Sequence, residues 1–258
     1  MPSALRLLLL ALAVLPAATF AQGAAAEPTS RMMTVGVRGN MEATLYTPDG
    51  PGPFPSIVVI HTSLGLGEVD RQYCARLARE GFICIVPAFL RAYGIRQDMK
   101  EIAFTTDREP ILADFRQIIG VLNGLPMATP GAVGAIGFSN GGFFSVLLAA
   151  QQQVKAGVAY YGALMGINQP LAANPFLQSY KAASAPVLLL AGASDTTMGT
   201  QPVKRLDEII KAAGAPGELV FYPDAEHGFE RNNLRPGNGP AGTNAWTRTL
   251  AFLRKYVR

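Results

Sequence analysis

A chain that carries Gly-x-Ser-x-Gly between a short apolar run and a longer one has few folds open to it. Here the stretch from Gly131 to Ala150 reads Ala132-Val133-Gly134-Ala135-Ile136, then Gly137-Phe138-Ser139-Asn140-Gly141-Gly142, then Phe143-Phe144-Ser145-Val146-Leu147-Leu148-Ala149-Ala150. The first run is short, apolar and bounded by glycine, as a buried strand is; the last is long and apolar enough for a buried helix. A strand-to-helix turn this tight forces its serine into a strained backbone conformation, and small residues on both sides let neighbouring chain approach closely. The turn presents the Ser139 hydroxyl at the sheet edge, near the positive end of the following helix. A glycine-rich βα turn with an incidental serine shares the five-residue pattern, but the strand before it and the helix after it favour a nucleophile.

The rest of the chain alternates strand and helix. Met33 to Val37 and Met41 to Thr47 read as a hairpin turning at Gly39-Asn40. Ser56 to His61 is the first fully apolar strand, followed by a loop through Gly65 and Gly67 and a helix from about Val69 to Glu80 that Gly81 ends. Phe82 to Val86 is the next strand. Arg91 to Asp107 reads as polar and irregular, and leads into a helix over Arg108 to Leu122. Beyond Ala150 come strands at Ala156 to Tyr161, Val187 to Ala191 and Glu218 to Tyr222, and helices at Pro202 to Ala213 and Asn244 to Tyr256. Alternation with near-continuous apolar strands predicts an α/β fold with a mostly parallel sheet covered on both faces.

Met1 to Ala26 reads as a removable leader in front of a single domain spanning 27–258. Arg6 is the positive residue, Leu7 to Val14 the apolar core, and Thr19-Phe20-Ala21 a cleavage signal, with a second possible cut after Ala26. The core is too short to span a bilayer, so export to the periplasm or the medium is expected, with no stable membrane anchor. Charged residues make up 16% of the chain, against a usual ~25%, which excludes disorder. The net charge of +4 is scattered, without the basic block that tracks a phosphate backbone, so nucleic acid is not an expected partner. The two cysteines, Cys74 and Cys84, occupy positions that look like core and read as buried thiols, although export would permit a disulfide. With two histidines and no Cys-x-x-Cys, no metal site or cofactor is expected.

In a parallel sheet, chemistry collects at the carboxyl ends of the strands. Ser139 follows one such end, Asp195 another, and His227 a third. The order Ser, Asp, His matches a triad: the weak hydroxyl nucleophile needs a base in hydrogen-bond reach, and the base needs a carboxylate to fix its tautomer. His61 competes for the base, but it leads into the loop expected to supply an oxyanion N–H, which places it beside the hole and reads as structural. Asp224 competes for the acid, but Pro223-Asp224 is a turn too close to His227 to point at its ring.

On these residues the chain resembles the dienelactone hydrolase family of the α/β-hydrolase fold. The shared features are Gly137-Phe138-Ser139-Asn140-Gly141-Gly142, Val158-Ala159-Tyr160-Tyr161-Gly162, His227-Gly228-Phe229, and the aromatic helix Ala245-Trp246-Thr247-Arg248-Thr249-Leu250-Ala251-Phe252. The resemblance runs from about Glu42 onward. It implies an oxyanion hole at the N–H groups of Asn140 and Ser63, with Arg231 and Tyr161 at the substrate, Arg231 as partner of a substrate carboxylate. Founding members carry a cysteine nucleophile and a glutamate after the early histidine; this chain has Ser139 and Thr62, a coherent joint change because that glutamate governs the cysteine's ionisation. The expectation is a cofactor-independent serine hydrolase of small esters or lactones, with an anionic substrate suggested by Arg231. A short peptidase, a carbohydrate-ester hydrolase and a non-catalytic hydrolase-like binding protein remain open. Specificity is expected in the segment Arg91 to Asp107 and the loop Ala163 to Ala185.

Overall fold

Among the described residues, eight strands form one sheet in the order β1-β2-β4-β3-β5-β6-β7-β8. The computed structural model describes residues 27–231 and 238–258, so the leader and its cleavage sites lie outside the described residues. β1 (Thr29–Val35) and β2 (Met41–Thr47) are the expected hairpin, and β2 pairs antiparallel with β4 (Ile83–Pro87). β3 (Phe54–Ile60), β4, β5 (Ala128–Phe138), β6 (Ala156–Tyr160), β7 (Val187–Gly192) and β8 (Gly217–Tyr222) all run parallel.

Period-two alternation in these strands splits their side chains between two cores. Val58 and Ile60 point to one side, with Phe115 of α3 (Arg108–Asn123), Phe144 of α4 (Asn140–Ala150) and Leu206 of α6 (Gln201–Ala212). Ile57 and Val59 point to the other, with Leu77 of α1 (Glu68–Arg79) and Leu253 of α7 (Asn238–Tyr256). Every residue of α4 is buried. A helix apolar all round can only sit in the core, and this one anchors the Ser139 turn at the centre of the sheet.

Three segments differ from the sequence reading. Arg91 to Asp107 is not irregular: α2 (Phe89–Ala92) runs into its start and a 3-10 helix (Gln97–Phe104) occupies its middle, with Ile95, Ala103 and Phe104 buried. Three separated apolar residues are too few to register as a helical period. The loop from Ala163 to Ala185 holds α5 (Pro175–Ser179), capped by the Asn174 side chain, which accepts from the N–H groups of Phe176 and Leu177 at 3.0 Å. α7 starts at Asn238, well before Asn244, because Pro240 falls in its first turn, where proline is tolerated.

The cysteines are the clearest correction. Cys74 on α1 and Cys84 on β4 form a disulfide with a Cα separation of 5.3 Å. Both were correctly placed in the core, but only the packing of α1 directly onto β4 brings their Cβ atoms face to face. A bridge between residues 10 apart removes chain entropy from the unfolded state worth ~2–3 kcal/mol. The Cys74→Ala/Cys84→Ala double variant should therefore unfold at correspondingly lower denaturant while keeping its catalytic rate at room temperature. Denaturation curves of parent and variant with and without reductant check this: reductant should erase the difference.

Candidate active site

Ser139 sits at φ +50°, ψ −112°, a conformation a side chain rarely adopts, and three backbone hydrogen bonds hold it there. Its N–H donates to the Tyr160 carbonyl at 3.0 Å, and its carbonyl accepts from the N–H groups of Gly142 and Ala163 at 2.9 Å each. The turn closes only because Gly137 and Gly141 lack side chains: a Cβ on either would lie 2.0 Å from a backbone oxygen, of Gly141 and Ile60 respectively.

The three residues expected at strand ends meet. His227 Nε2 lies 3.1 Å from Ser139 Oγ, and its Nδ1 lies 2.8 Å from Asp195 Oδ2. A carboxylate only accepts, so Nδ1 carries the proton and Nε2 is the free acceptor for the serine hydroxyl. Burial alone would raise the Asp195 carboxyl pKa. The hydrogen bonds from His227 and from the N–H groups of Met198 (2.9 Å) and Thr197 (2.8 Å) outweigh it and hold Asp195 below the usual carboxylate range. Asp224 takes no part in this set.

Ser63, after β3, and Asn140, at the first turn of α4, both border the cavity beside Ser139. The first N–H groups of a helix have no intrahelical acceptor and carry its positive dipole end. His61 is fully buried and stacks on Phe89 with ring centroids 4.4 Å apart. Its Nδ1 donates to the Thr62 carbonyl at 2.8 Å, and burial pushes its pKa down to about 4, so the ring is neutral.

Behind His227 lies a buried ionic cluster. Arg231 donates from Nε to Glu230 Oε1 at 2.7 Å and from Nη2 to Asp70 Oδ1, and its guanidinium covers the Phe138 ring at 4.8 Å. The Tyr161 hydroxyl donates to the other oxygen of Glu230, and the Tyr161 ring packs edge-on against His227 at 4.6 Å. Asp70 Oδ2 accepts from the Gly67 N–H at 2.9 Å, starting α1. Burial opposes the charge on Arg231, but Tyr161, Glu230 and Asp70 outweigh it and raise its pKa. Burial pushes the Glu230 carboxyl upward, against the pull of Arg231 and its two donors.

The sequence of residues 41–257 matches the profile of the dienelactone hydrolase family. This chain belongs to that family. A "Putative carboxymethylenebutenolidase" of Methylorubrum extorquens is 30% identical over 226 residues, 84% of this chain and 78% of the relative. One of the same name from Salmonella typhimurium is 30% identical over 213 residues, covering 80% and 78%. Among solved structures, the "Putative Dienelactone Hydrolase" of Klebsiella pneumoniae superposes with a TM-score of 0.77 at 28% identity, covering 89% of this chain and 99% of that one.

The dienelactone hydrolase-family pocket of this chain has a volume of ≈600 Å³. Both segments expected to carry specificity reach it, Gln97, Lys100 and Phe104 from one and Ala163 and Met165 from the other, together with Leu64 and Met198. Sequence reasoning missed Asp70 and Glu230. Asp70 resembled an ordinary acidic residue in a helix's first turn, and Glu230 an exposed loop charge. Nothing in one chain's sequence marks them as partners of Arg231.

Proposed function

We propose that this enzyme cleaves small esters or lactones through an acyl-enzyme on Ser139. The observation that carries the reading is the continuous hydrogen-bonded line Ser139–His227–Asp195 at the edge of the pocket. Ser139 Oγ attacks the carbonyl carbon as His227 Nε2 takes its proton, and Asp195 stabilises the imidazolium that forms. The N–H groups of Asn140 and Ser63 take the oxyanion. His227 returns the proton to the leaving alkoxide, and water then hydrolyses the acyl-enzyme by the same steps in reverse. The carboxymethylenebutenolidase names of the relatives support ester or lactone chemistry over peptide cleavage, and the complete triad favours an enzyme over a binding protein. A fluorophosphonate probe tests the reading: one equivalent should label Ser139 and stop hydrolysis of 4-nitrophenyl butyrate. Label elsewhere, or turnover by fully labelled protein, would sink it.

His61 has a positioning role in this scheme. The carbonyl it holds belongs to the same planar peptide unit as the Ser63 N–H, so the two point in opposite directions. Gly65 N–H also donates to this carbonyl, at 3.2 Å. Anchoring the oxygen on the core side aims the N–H at the pocket. His61→Phe keeps the stacked ring and removes the donor, so kcat should fall roughly 10–100-fold, below the full loss of an oxyanion donor, with KM little changed. The pH dependence has a definite sign. With a folded pKa of about 4 against 6.5, the unfolded chain takes up the His61 proton first as pH falls. Stability is then full above pH 6.5 and declines by roughly 3 kcal/mol towards pH 4. Urea titrations across that range should show a shallower decline for His61→Phe.

Export is proposed on two supports, the leader pattern of Met1 to Ala26 and the Cys74–Cys84 bridge, which suits an oxidising compartment.

A further inference from the structure

We infer that the pocket selects neutral esters with a large apolar limb and rejects those bearing a carboxylate; this rests on the serine-hydrolase reading above. Among the described residues, Arg231 is the buried cation that borders the pocket, and its charge is already spent. Each of its two carboxylate partners is buried, Asp70 on α1 and Glu230 beside it, and three of their four oxygens are held by Arg231 and Tyr161, the fourth by the Gly67 N–H. Two carboxylates around one guanidinium leave no surplus positive charge. An incoming carboxylate would meet the outer field of the pair and would have to give up water without a free counter-charge. Lys100 and Glu101, exposed neighbours on the 3-10 helix, also line the pocket and add one charge of each sign.

Beside the uncharged polar groups of Thr62, Gln97 and Thr197, the lining has a large apolar share. Leu64, Phe104, Met165 and Met198 line the cavity, with the Tyr161 ring at its base. Leu64 is 74% exposed at the mouth, a position where a large apolar side chain gains nothing unless something covers it. Two methionines supply a flexible, polarisable wall that adapts to varied apolar shapes. A volume of ≈600 Å³ lies mid-range for sites that enclose ligands much larger than a six-carbon lactone acid. Arg231 accordingly works as a brace. It ties α1 to the loop that carries His227, and through Glu230 and Tyr161 it backs the His227 ring.

The test compares 4-nitrophenyl hexanoate with the mono-4-nitrophenyl ester of hexanedioic acid, equal in length and differing in the terminal charge. The neutral ester should have at least a 30-fold higher kcat/KM. Among acetate, butyrate and hexanoate, kcat/KM should rise about threefold per methylene, near the full-burial value. Met165→Lys adds a free cation at the half-open wall and should narrow the neutral-to-anionic ratio at least fivefold. Arg231→Met should slow both esters by the same factor; if it does not fold, Met165→Lys and the ester pair carry the test alone. An equal or better rate on the carboxylate ester, a flat chain-length series, or a selective loss on that ester in Arg231→Met would overturn the inference. Active sites are counted with the fluorophosphonate probe. Full labelling with the wrong selectivity removes only this inference, whereas no labelling and no ester hydrolysis removes the reading beneath it.

Discussion

Ser139→Ala should fold as the parent does and lose kcat on 4-nitrophenyl butyrate by roughly four to six orders of magnitude. Folding is spared because the hydroxyl hydrogen-bonds to the His227 side chain, while the turn is held by its backbone, through Tyr160, Gly142 and Ala163. Alanine meets the same positive φ as serine, so the strain, of order 1–3 kcal/mol, does not change between them. The chemistry is not spared: without Oγ there is no acyl-enzyme, and His227 has no nucleophile to deprotonate. Binding and the oxyanion donors alone leave a residual rate of roughly 10³–10⁴ over water in serine hydrolases of this type. Circular dichroism and the melting midpoint establish folding, and active-site-titrated rates establish the loss. A variant within tenfold of the parent would mean that another group attacks the ester.

Gly141→Ala should be among the most damaging single methyl additions at the described glycines. Its Cβ would lie 2.0 Å from the Ile60 oxygen, 2.6 Å from the Ile60 carbonyl carbon and 2.8 Å from the His61 oxygen. All three are backbone atoms at the end of a central strand, with paired strands on either side, and they cannot swing away as a side chain could. The start of α4 must therefore lift off β3, which loosens the Ser139 turn and the loop that carries Ser63 together. A cost of ~3–5 kcal/mol is expected, in the range reserved for severe overpacking, and soluble yield should fall with it. Gly120→Ala is the opposing control. Gly120 is exposed in the last turn of α3, with nothing within 4 Å of its would-be Cβ, so alanine should stabilise by ~0.4–1 kcal/mol. Denaturant titration of both variants separates the two cases. A Gly141→Ala protein as stable as the parent would contradict the close crossing of α4 over β3.

Local chemistry wrote the scaffold into the chain in legible form. Apolar runs of strand length, separated by helical periods, can be buried only as a parallel sheet with two covers. Gly137-Phe138-Ser139-Asn140-Gly141 can close only as a turn between strand and helix. Because such a sheet puts every strand's carboxyl end on one edge, Ser139, Asp195 and His227 were bound to share that edge once their strands were assigned. The side-chain geometry that joins them, 3.1 Å and 2.8 Å, completes what strand order had arranged.

Contacts between residues distant in sequence were not legible, because no period or motif reports which surfaces face each other. Cys74 and Cys84 could be placed in the core from their neighbours, yet only the seating of α1 on β4 decides that they are bonded. The 3-10 helix at Gln97–Phe104 escapes because too few apolar residues mark it, although it builds a wall of the pocket. Arg231 shows the division most sharply. Its position four residues after His227 is a sequence fact, and it suggested an anion-binding group. Whether an arginine attracts a substrate depends on the charges around it, and those come from Asp70, 161 positions away, and from a neighbouring Glu230 turned inward. Charge compensation is a property of three-dimensional neighbourhood, and the tertiary structure alone decides it.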